Sequence, residues 1–392
     1  MVVIREVSAK SIFDSRKEKT ILVSIKTNSG KTFKASSPSG KSTGKYEVHC
    51  YKKSLEDDIK TIKQFKEYFS EEILDEYEDL KRVEDILDGH IGGNTLFAFE
   101  SAVLKAIADE KKKQIWEIVN PTLREEKEKK FPRLVGNCIG GGAHSEVKGK
   151  KPDFQEFLLI PEGNSPEKSF KINKEAKEKA GFVLKKKDKS FKSQKNDEDA
   201  WITSLNEKEV LDILKELDVP IGLDIASSGF YHRGKYHYEN PMLKREIDEQ
   251  LTYVGNLIKN YNILYVEDPI QEEDFESFSK LLKKCPNSLI VGDDLTVTNS
   301  KRLKKAIEMK SINAIIVKPN QCGSLIEVKK VCEIAKENNI KMIFSHRSGE
   351  TNETILSDLA FGFQADFLKC GITGKERECK IKRLIEIEKS LK

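Results

Sequence analysis

A β/α barrel behind a smaller N-terminal α+β domain is the fold class this sequence predicts, and three features predict it. The first third carries alternating strand patterns followed by two long helical ones. From about residue 131 onward, short apolar runs alternate with charged amphipathic stretches, as repeated β/α units require. Six of the seven apolar runs then end on a polar or ionisable side chain. At 392 residues the chain has room for a barrel and a partner domain.

The N-terminal runs VVIREVSAKSIF and TILVSIKTNSGKTFKAS alternate as strands do, and Asn28-Ser29-Gly30 supplies a turn inside the second. They predict an antiparallel meander. A Ser/Gly-rich loop, SSPSGKSTGKY, precedes two helical patterns, from about Ser54 to Leu87 and from about Thr95 to Val119. Pro121 and the solvated stretch REEKEKKFPR mark a hinge, because Pro132 would break any helix running through it. The boundary is expected near Phe131, giving domains 1–130 and 131–392.

The later runs are FLLI, VPIGLD, ILYVED, SLIVGDD, NAIIVK, KMIFSH and DFLK. Their polar ends are Asp224, Glu267, Asp293, Lys318, His346 and Lys369, at intervals of roughly 23 to 43 residues, about one β/α unit or slightly more. The C-terminal ends of parallel barrel strands converge on one mouth, so these six side chains are expected in one pocket. A single strand leaving a core ends on something polar in any case; six in series, with three consecutive acids and two lysines, point to a site.

Three carboxylates in one mouth repel one another by several kcal/mol at low dielectric unless a cation lies between them. Asp224, Glu267 and Asp293 therefore imply a metal, and an all-oxygen donor set with positions left for water and substrate favours magnesium. Lys318 and Lys369 face the same mouth. Cationic neighbours would lower the pKa of Lys318 and make it a base; a structural ion pair is the alternative for either lysine.

Other function classes find little support. The charges balance, 69 basic against 65 acidic, which gives no case for nucleic acid or an anionic membrane surface. Seven cysteines without a Cys-x-x-Cys pair fit neither a disulfide framework nor a zinc module and suit a reducing cytoplasm. The Lys, Glu and Ile richness fits an ion-paired thermophile surface or an A·T-biased genome equally. Gly40-Lys41-Ser42 fails as a P-loop, since Ala35 stands where the pattern needs glycine and KYEVHCYKK follows instead of an apolar helix. Gly140-Gly141-Gly142 lacks dinucleotide-fingerprint spacing and reads as a turn that delivers His144.

At this level of detail the chain resembles the enolases, magnesium-dependent phosphopyruvate hydratases. The resemblance is carried, in collinear order, by SIFDSR (11–16), PSGKSTG (38–44), GGAH (141–144), QEFLLIP (155–161), GLDIASS (222–228), VEDP (266–269), VGDDLTVTNSKRL (291–303), VKPNQCGSL (317–325), SHRSGET (345–351) and LKCG (368–371). It implies a cap domain on an eight-stranded barrel with antiparallel members, a homodimer, and reversible loss of water from 2-phosphoglycerate, a small phosphorylated carboxylate. It further implies that Asp224, Glu267 and Asp293 hold a first magnesium and that Ser42 helps hold a second. Lys318 would take the C2 proton, Lys369 meet the substrate carboxylate, Arg347 and Ser348 bind phosphate, and His144, Gln155, Glu156 and His346 line the pocket.

The family's general acid comes from a Gly-Asp-Glu-Gly-Gly segment, and here the sequence departs. Asn196-Asp197-Glu198-Asp199-Ala200 stands in its place. Glu198 is in register, as acid or as a solvated loop residue, while the missing glycines carry a steric cost wherever positive φ is needed. Other departures are Arg16-Lys17-Glu18-Lys19, Ser228-Gly229-Phe230 and HCYKK. They leave open an enolase-like enzyme acting on a different phosphorylated or carboxylated acid, or a non-catalytic protein on an inherited barrel.

Overall fold

The computed structural model describes residues 1–41, 44–145 and 149–391. Strands β1 (Ile4–Phe13), β2 (Lys19–Thr27) and β3 (Thr32–Ser36) form the antiparallel meander in the order β1-β2-β3. On β2, Ile21, Val23 and Ile25 are fully buried while Leu22, Ser24 and Lys26 between them are not, the period-2 burial of a sheet with one covered face.

Helices α1 (Leu55–Ile62), α2 (Leu80–Leu87), α3 (Gly93–Glu110) and α4 (Ile115–Val119) complete this part. Ser54 caps α1 by accepting from the Asp57 amide. The pattern expected to run from Ser54 to Leu87 is two helices, because between them Leu74 exchanges backbone hydrogen bonds with Val2 and so becomes an extended partner of the N-terminus. The second pattern also splits: Lys112 takes a left-handed conformation, φ 52°, and ends α3.

The barrel follows. Its elements are β4 (Arg133–Gly140), β5 (Glu156–Leu159), α5 (Pro166–Lys187), β6 (Trp201–Ile202), α6 (Glu207–Lys215) and β7 (Ile221–Asp224). A small antiparallel sheet of β8 (Tyr231–His232), β9 (Lys235–Glu239) and β10 (Met242–Arg245) is inserted next. After α7 (Ile247–Tyr261), regular units return with β11 (Tyr265–Glu267), α8 (Phe275–Lys284), β12 (Leu289–Gly292), α9 (Ser300–Glu308) and β13 (Ala314–Val317). The chain closes with α10 (Pro319–Cys322), α11 (Leu325–Glu337), β14 (Lys341–Ser345), α12 (Ile355–Gly362), β15 (Phe367–Lys369) and α13 (Lys375–Ser390).

Eight strands close the barrel in the order β4-β5-β7-β11-β12-β13-β14-β15, with β15 pairing back to β4 and β6 flanking β4. β5 runs antiparallel to both neighbours. The seven apolar runs are seven of these strands, and β4 is the eighth.

Strand parity aims the site. Ala314 and Ile316 pack inside the barrel, whereas Ile315 and Val317 pack outward beneath the helices, so both faces are apolar and the strand reads as a continuous run. Lys318 continues the inward set. The same parity carries Tyr265 to Glu267, Val291 to Asp293, Phe367 to Lys369, Val135 to Asn137 and, in reverse along the antiparallel β5, Leu158 to Glu156. Within the barrel, therefore, these inward rows change from apolar or aromatic side chains to polar or ionisable ones.

Candidate active site

The predicted residues among those described converge on one pocket lined by His144, Gln155, Glu156, Glu198, Asp224, Asp293, Lys318, His346, Arg347, Ser348 and Lys369. Glu267 lies beneath it, its side chain in contact with Lys369. Ser42 lies outside the described residues. Nearly all of these groups are buried, so their charges interact at low dielectric.

Lys369 sits among three carboxylates, donating to Asp224 Oδ2 at 2.8 Å and Glu267 Oε2 at 2.7 Å, with Glu156 Oε2 at 3.4 Å. Lys318 pairs with Asp293 Oδ2, and Gln321 donates to Asp293 Oδ1 at 3.1 Å. Burial alone would lower the pKa of Lys318, but the Asp293 charge outweighs it and the net shift is upward. The expected depression of the Lys318 pKa is conditional on a metal ion close by, which would take up the Asp293 charge that here favours the ammonium. Lys369 and Arg347 do oppose its charge, but less strongly than Asp293 favours it.

A cation fits this donor set. Burial and the adjacent Asp224 push Glu267 up to about 8, and burial with neighbouring acids also raises Asp268 and Asp294 well above the carboxylate range. Oxygen Oε1 of Glu267 is buried without a hydrogen-bond partner. Carboxyls driven toward their neutral forms, and an unsatisfied inward oxygen, mark a shortage of positive charge that two lysines do not fill. Asp268 also holds the backbone in place: its two oxygens accept from the amides of Asp293 at 3.0 Å and Asp294 at 2.8 Å.

Backbone strain is concentrated here. Val297 and Thr298 are consecutive left-handed residues, φ 44° and 52°, an unfavourable conformation for β-branched side chains. The turn they make places Thr298 Oγ1 to accept from the Lys318 amide at 2.9 Å and to donate to Gln321 Oε1 at 2.9 Å.

The opposite wall holds Glu198, brought in as a buried residue and not as a solvated one. Asn137 of β4 donates to its Oε2 at 3.0 Å, while His144 Nδ1 and His346 Nε2 each lie 3.6 Å from its Oε1. Only one position in its turn has positive φ, Asp199 at 63°, and aspartate tolerates that conformation better than most residues. Lys177, Lys195 and Thr373 hold Asp199 there, and Asn196 Oδ1 accepts from the amides of Glu198 and Ala200 at 3.0 and 2.9 Å. Burial favours the neutral acid, yet His346, His144 and Arg377 outweigh it and hold Glu198 ionised, below the carboxylate range. Glu156 shows the reverse: burial, reinforced by the Glu198 charge, raises it well above that range. His144 Nδ1 is 3.6 Å from Glu156 Oε1 as well, so one imidazole faces two carboxyls of opposite protonation preference.

His144 is delivered by Gly141 and Gly142. A Cβ on Gly141 would lie 2.4 Å from the Phe154 carbonyl oxygen, and Gly142 has φ 46°.

Two buried residues escaped the sequence reading. Arg377, on the first turn of α13, contacts His346 Nδ1 at 2.7 Å and donates to the carbonyls of Arg347 at 2.5 Å and Ser348 at 2.6 Å, which fixes the whole 346–348 segment. Glu47, in the N-terminal part, accepts from Arg347 Nη2 at 3.0 and 3.1 Å. Arg377 resembles any charged residue of an amphipathic helix, and Glu47 any loop acid. The only usable signal was the nearness of Glu47 to the 38–44 motif.

The fold and the site define a two-domain β/α-barrel enzyme with a carboxylate cluster suited to a divalent cation on one side and two buried carboxyls of opposite protonation preference on the other. Comparison with known families agrees. Residues 4–119 match the model "Enolase, N-terminal domain" and residues 128–392 match "Enolase, C-terminal TIM barrel domain". The chain is 36% identical to the enolase of Methanosphaera stadtmanae, over 99% of this chain and 97% of that protein. It is 34% identical to the enolases of Natronomonas pharaonis, over 99% of each, and Archaeoglobus fulgidus, over 99% of this chain and 97% of that protein. The chain belongs to the enolase family and is a lyase of the phosphopyruvate hydratase type. No helix among the described residues is long and apolar enough to cross a membrane.

Proposed function

We propose that this chain dehydrates 2-phosphoglycerate reversibly to phosphoenolpyruvate with magnesium as its cation, and that the site residues divide the work as follows. The observation that carries the reading is that Lys318, at the end of β13, and Glu198, in the turn before β6, line one pocket.

Asp224, Glu267 and Asp293 would hold the magnesium, with Ser42 assigned by family resemblance alone to a second ion. When bound, the cation concentrates positive charge at the substrate carboxylate and makes the neighbouring C–H more acidic. Lys369 adds charge from beneath, and the substrate carboxylate takes over part of its present pairing with Asp224 and Glu267. Lys318 removes the C2 proton as a neutral amine. Arg347, fixed by Glu47 and by Arg377 acting on its carbonyl, binds the phosphate together with Ser348.

The departing C3 hydroxyl needs a proton. Glu156 and Glu198 hold one between them, resident on Glu156 in the present arrangement, and Glu198 delivers it as the C3–O bond breaks and C2=C3 forms. His144 lies against both and bridges the exchange, while Gln155 and His346 line the wall. The product is water and the enol phosphate, with the C2 proton left on Lys318. Water addition reverses each step.

A homodimer and a cytoplasmic setting accompany this reading through family membership. The test is phosphoenolpyruvate formation from 2-phosphoglycerate by the purified protein. Turnover that a chelator abolishes and magnesium restores is expected; a folded, magnesium-loaded protein that forms no product would refute it.

A further inference from the structure

We propose that Lys177 is a positioning residue for the dehydration: its buried ammonium, acting through Asp199 and Thr373, holds the turn that aims Glu198 into the pocket and ties that turn to the loop behind Lys369. The inference rests on the reading of Glu198 as the residue that delivers the proton. It gives the missing glycine-rich segment a replacement built from side chains.

Lys177 comes from outside the pocket. It lies on the buried stripe of α5 that also carries Asn173, Ala180 and Leu184, and its side chain is only 4% exposed. A lysine in such a stripe is costly unless its charge and its three donors are met. All three are met at one place: the ammonium donates to the Asp199 carbonyl, to Asp199 Oδ2 at 3.1 Å and to Thr373 Oγ1. The Thr373 hydroxyl in turn donates to Asp199 Oδ2, which closes a ring of three groups. Burial lowers the pKa of Lys177, and the Asp199 charge is the main influence working against that loss.

The position of this ring gives it a function. Asp199 directly follows Glu198 and has φ 63°, so whatever fixes its backbone fixes the direction in which Glu198 leaves the turn. Thr373 stands four residues after Lys369 and four before Arg377, the two residues that serve the substrate carboxylate and the 346–348 segment. The ring therefore locks the acid-bearing turn to the same loop that anchors the opposite end of the substrate. On the entry side the turn has little support, since Ser193, Gln194 and Lys195 are exposed and the Lys195 contact with Asp199 is a surface pair of small value. On the exit side, Trp201 Nε1 donates to the Lys177 carbonyl at 2.8 Å, so β6 is registered on the same turn of α5.

A proton donor misplaced by about 1 Å can cost about 10²-fold in rate, whereas substrate binding and proton removal by Lys318 do not depend on it. In the magnesium-loaded full chain, Lys177→Met should lower kcat for phosphoenolpyruvate formation by about 10²-fold, with KM for 2-phosphoglycerate and exchange of its C2 hydrogen with deuterated solvent near wild type. Asp199→Asn, which tolerates positive φ but carries no charge, should lose about tenfold in the same selective way. In a Glu198→Gln background, Lys177→Met should have no further effect.

Wild-type product formation in Lys177→Met would overturn the proposal. So would an undiminished loss in the Glu198→Gln background, or a parallel loss of exchange and product formation in both Lys177→Met and Asp199→Asn, since those mark general support of the fold. Should Lys177→Met fail to fold, Asp199→Asn decides on the same measurements. Glu198→Gln that dehydrates as wild type does would remove the reading of Glu198 itself, and the proposal with it, a result visible without any change at Lys177.

Discussion

The Lys318 ammonium is paired with the Asp293 carboxylate, so the proposed base and a proposed cation ligand are held by one another. A cation on Asp293 and a proton on Lys318 then compete. Lys318→Ala is expected to abolish dehydration, by at least about a thousandfold, while tightening magnesium binding several-fold because the competing ammonium is gone. Calorimetry of magnesium binding checks the second half. Weaker binding in the variant would show that Lys318 supports the ligand shell and does not compete with the ion.

Arg377 offers a test of positioning. Its guanidinium serves His346 Nδ1 and the carbonyls of Arg347, Ser348 and Asp197 at once, a fork that a lysine cannot reproduce. Arg377→Lys should lower kcat/KM by roughly 10- to 100-fold, with phosphate affinity falling alongside it because Arg347 and Ser348 lose their anchor. Unchanged phosphate affinity would contradict that route.

Away from the chemistry, Glu207 at the start of α6 is buried and accepts from the Asp153 amide at 2.9 Å. Burial pushes its carboxyl up to about 7 from an ordinary value of 4.5. A raised acid is neutral in the folded protein, so its contribution is intact below about pH 4.5 and is lost as pH rises through 7. Glu207→Gln, which keeps the accepting oxygen, should therefore gain on the order of 3 kcal/mol at pH 8 and under about 1 kcal/mol at pH 5. Urea unfolding at the two values measures this, and an equal gain at both would exclude ionisation as the cause.

Much of this molecule was legible because parallel barrel strands are buried on both faces and announce themselves as apolar runs. FLLI shows the limit of that rule. Its strand β5 is antiparallel, so the residues that reach the mouth, Gln155 and Glu156, precede the run. Strand β4 does not read as an apolar run because RLVGNCIG mixes glycine and asparagine into its inward row, and Asn137 is there to hold Glu198. The lost glycines around Glu198 mattered less than expected, since a single position demands positive φ and Asp199 meets it with fixed partners. Arg377 and Glu47 were hidden for a different reason: their roles arise from tertiary placement, which no local pattern encodes.

The division of labour between Lys318 and the Glu156–Glu198 pair is the central claim, and exchange of the C2 hydrogen of 2-phosphoglycerate with deuterated solvent separates the two halves. In Glu198→Gln and Glu156→Gln, exchange should persist while phosphoenolpyruvate formation falls by about 10²- to 10⁴-fold, and in Lys318→Ala both should vanish. Exchange that survives in Lys318→Ala, or disappears along with dehydration in both glutamate variants, would contradict the account.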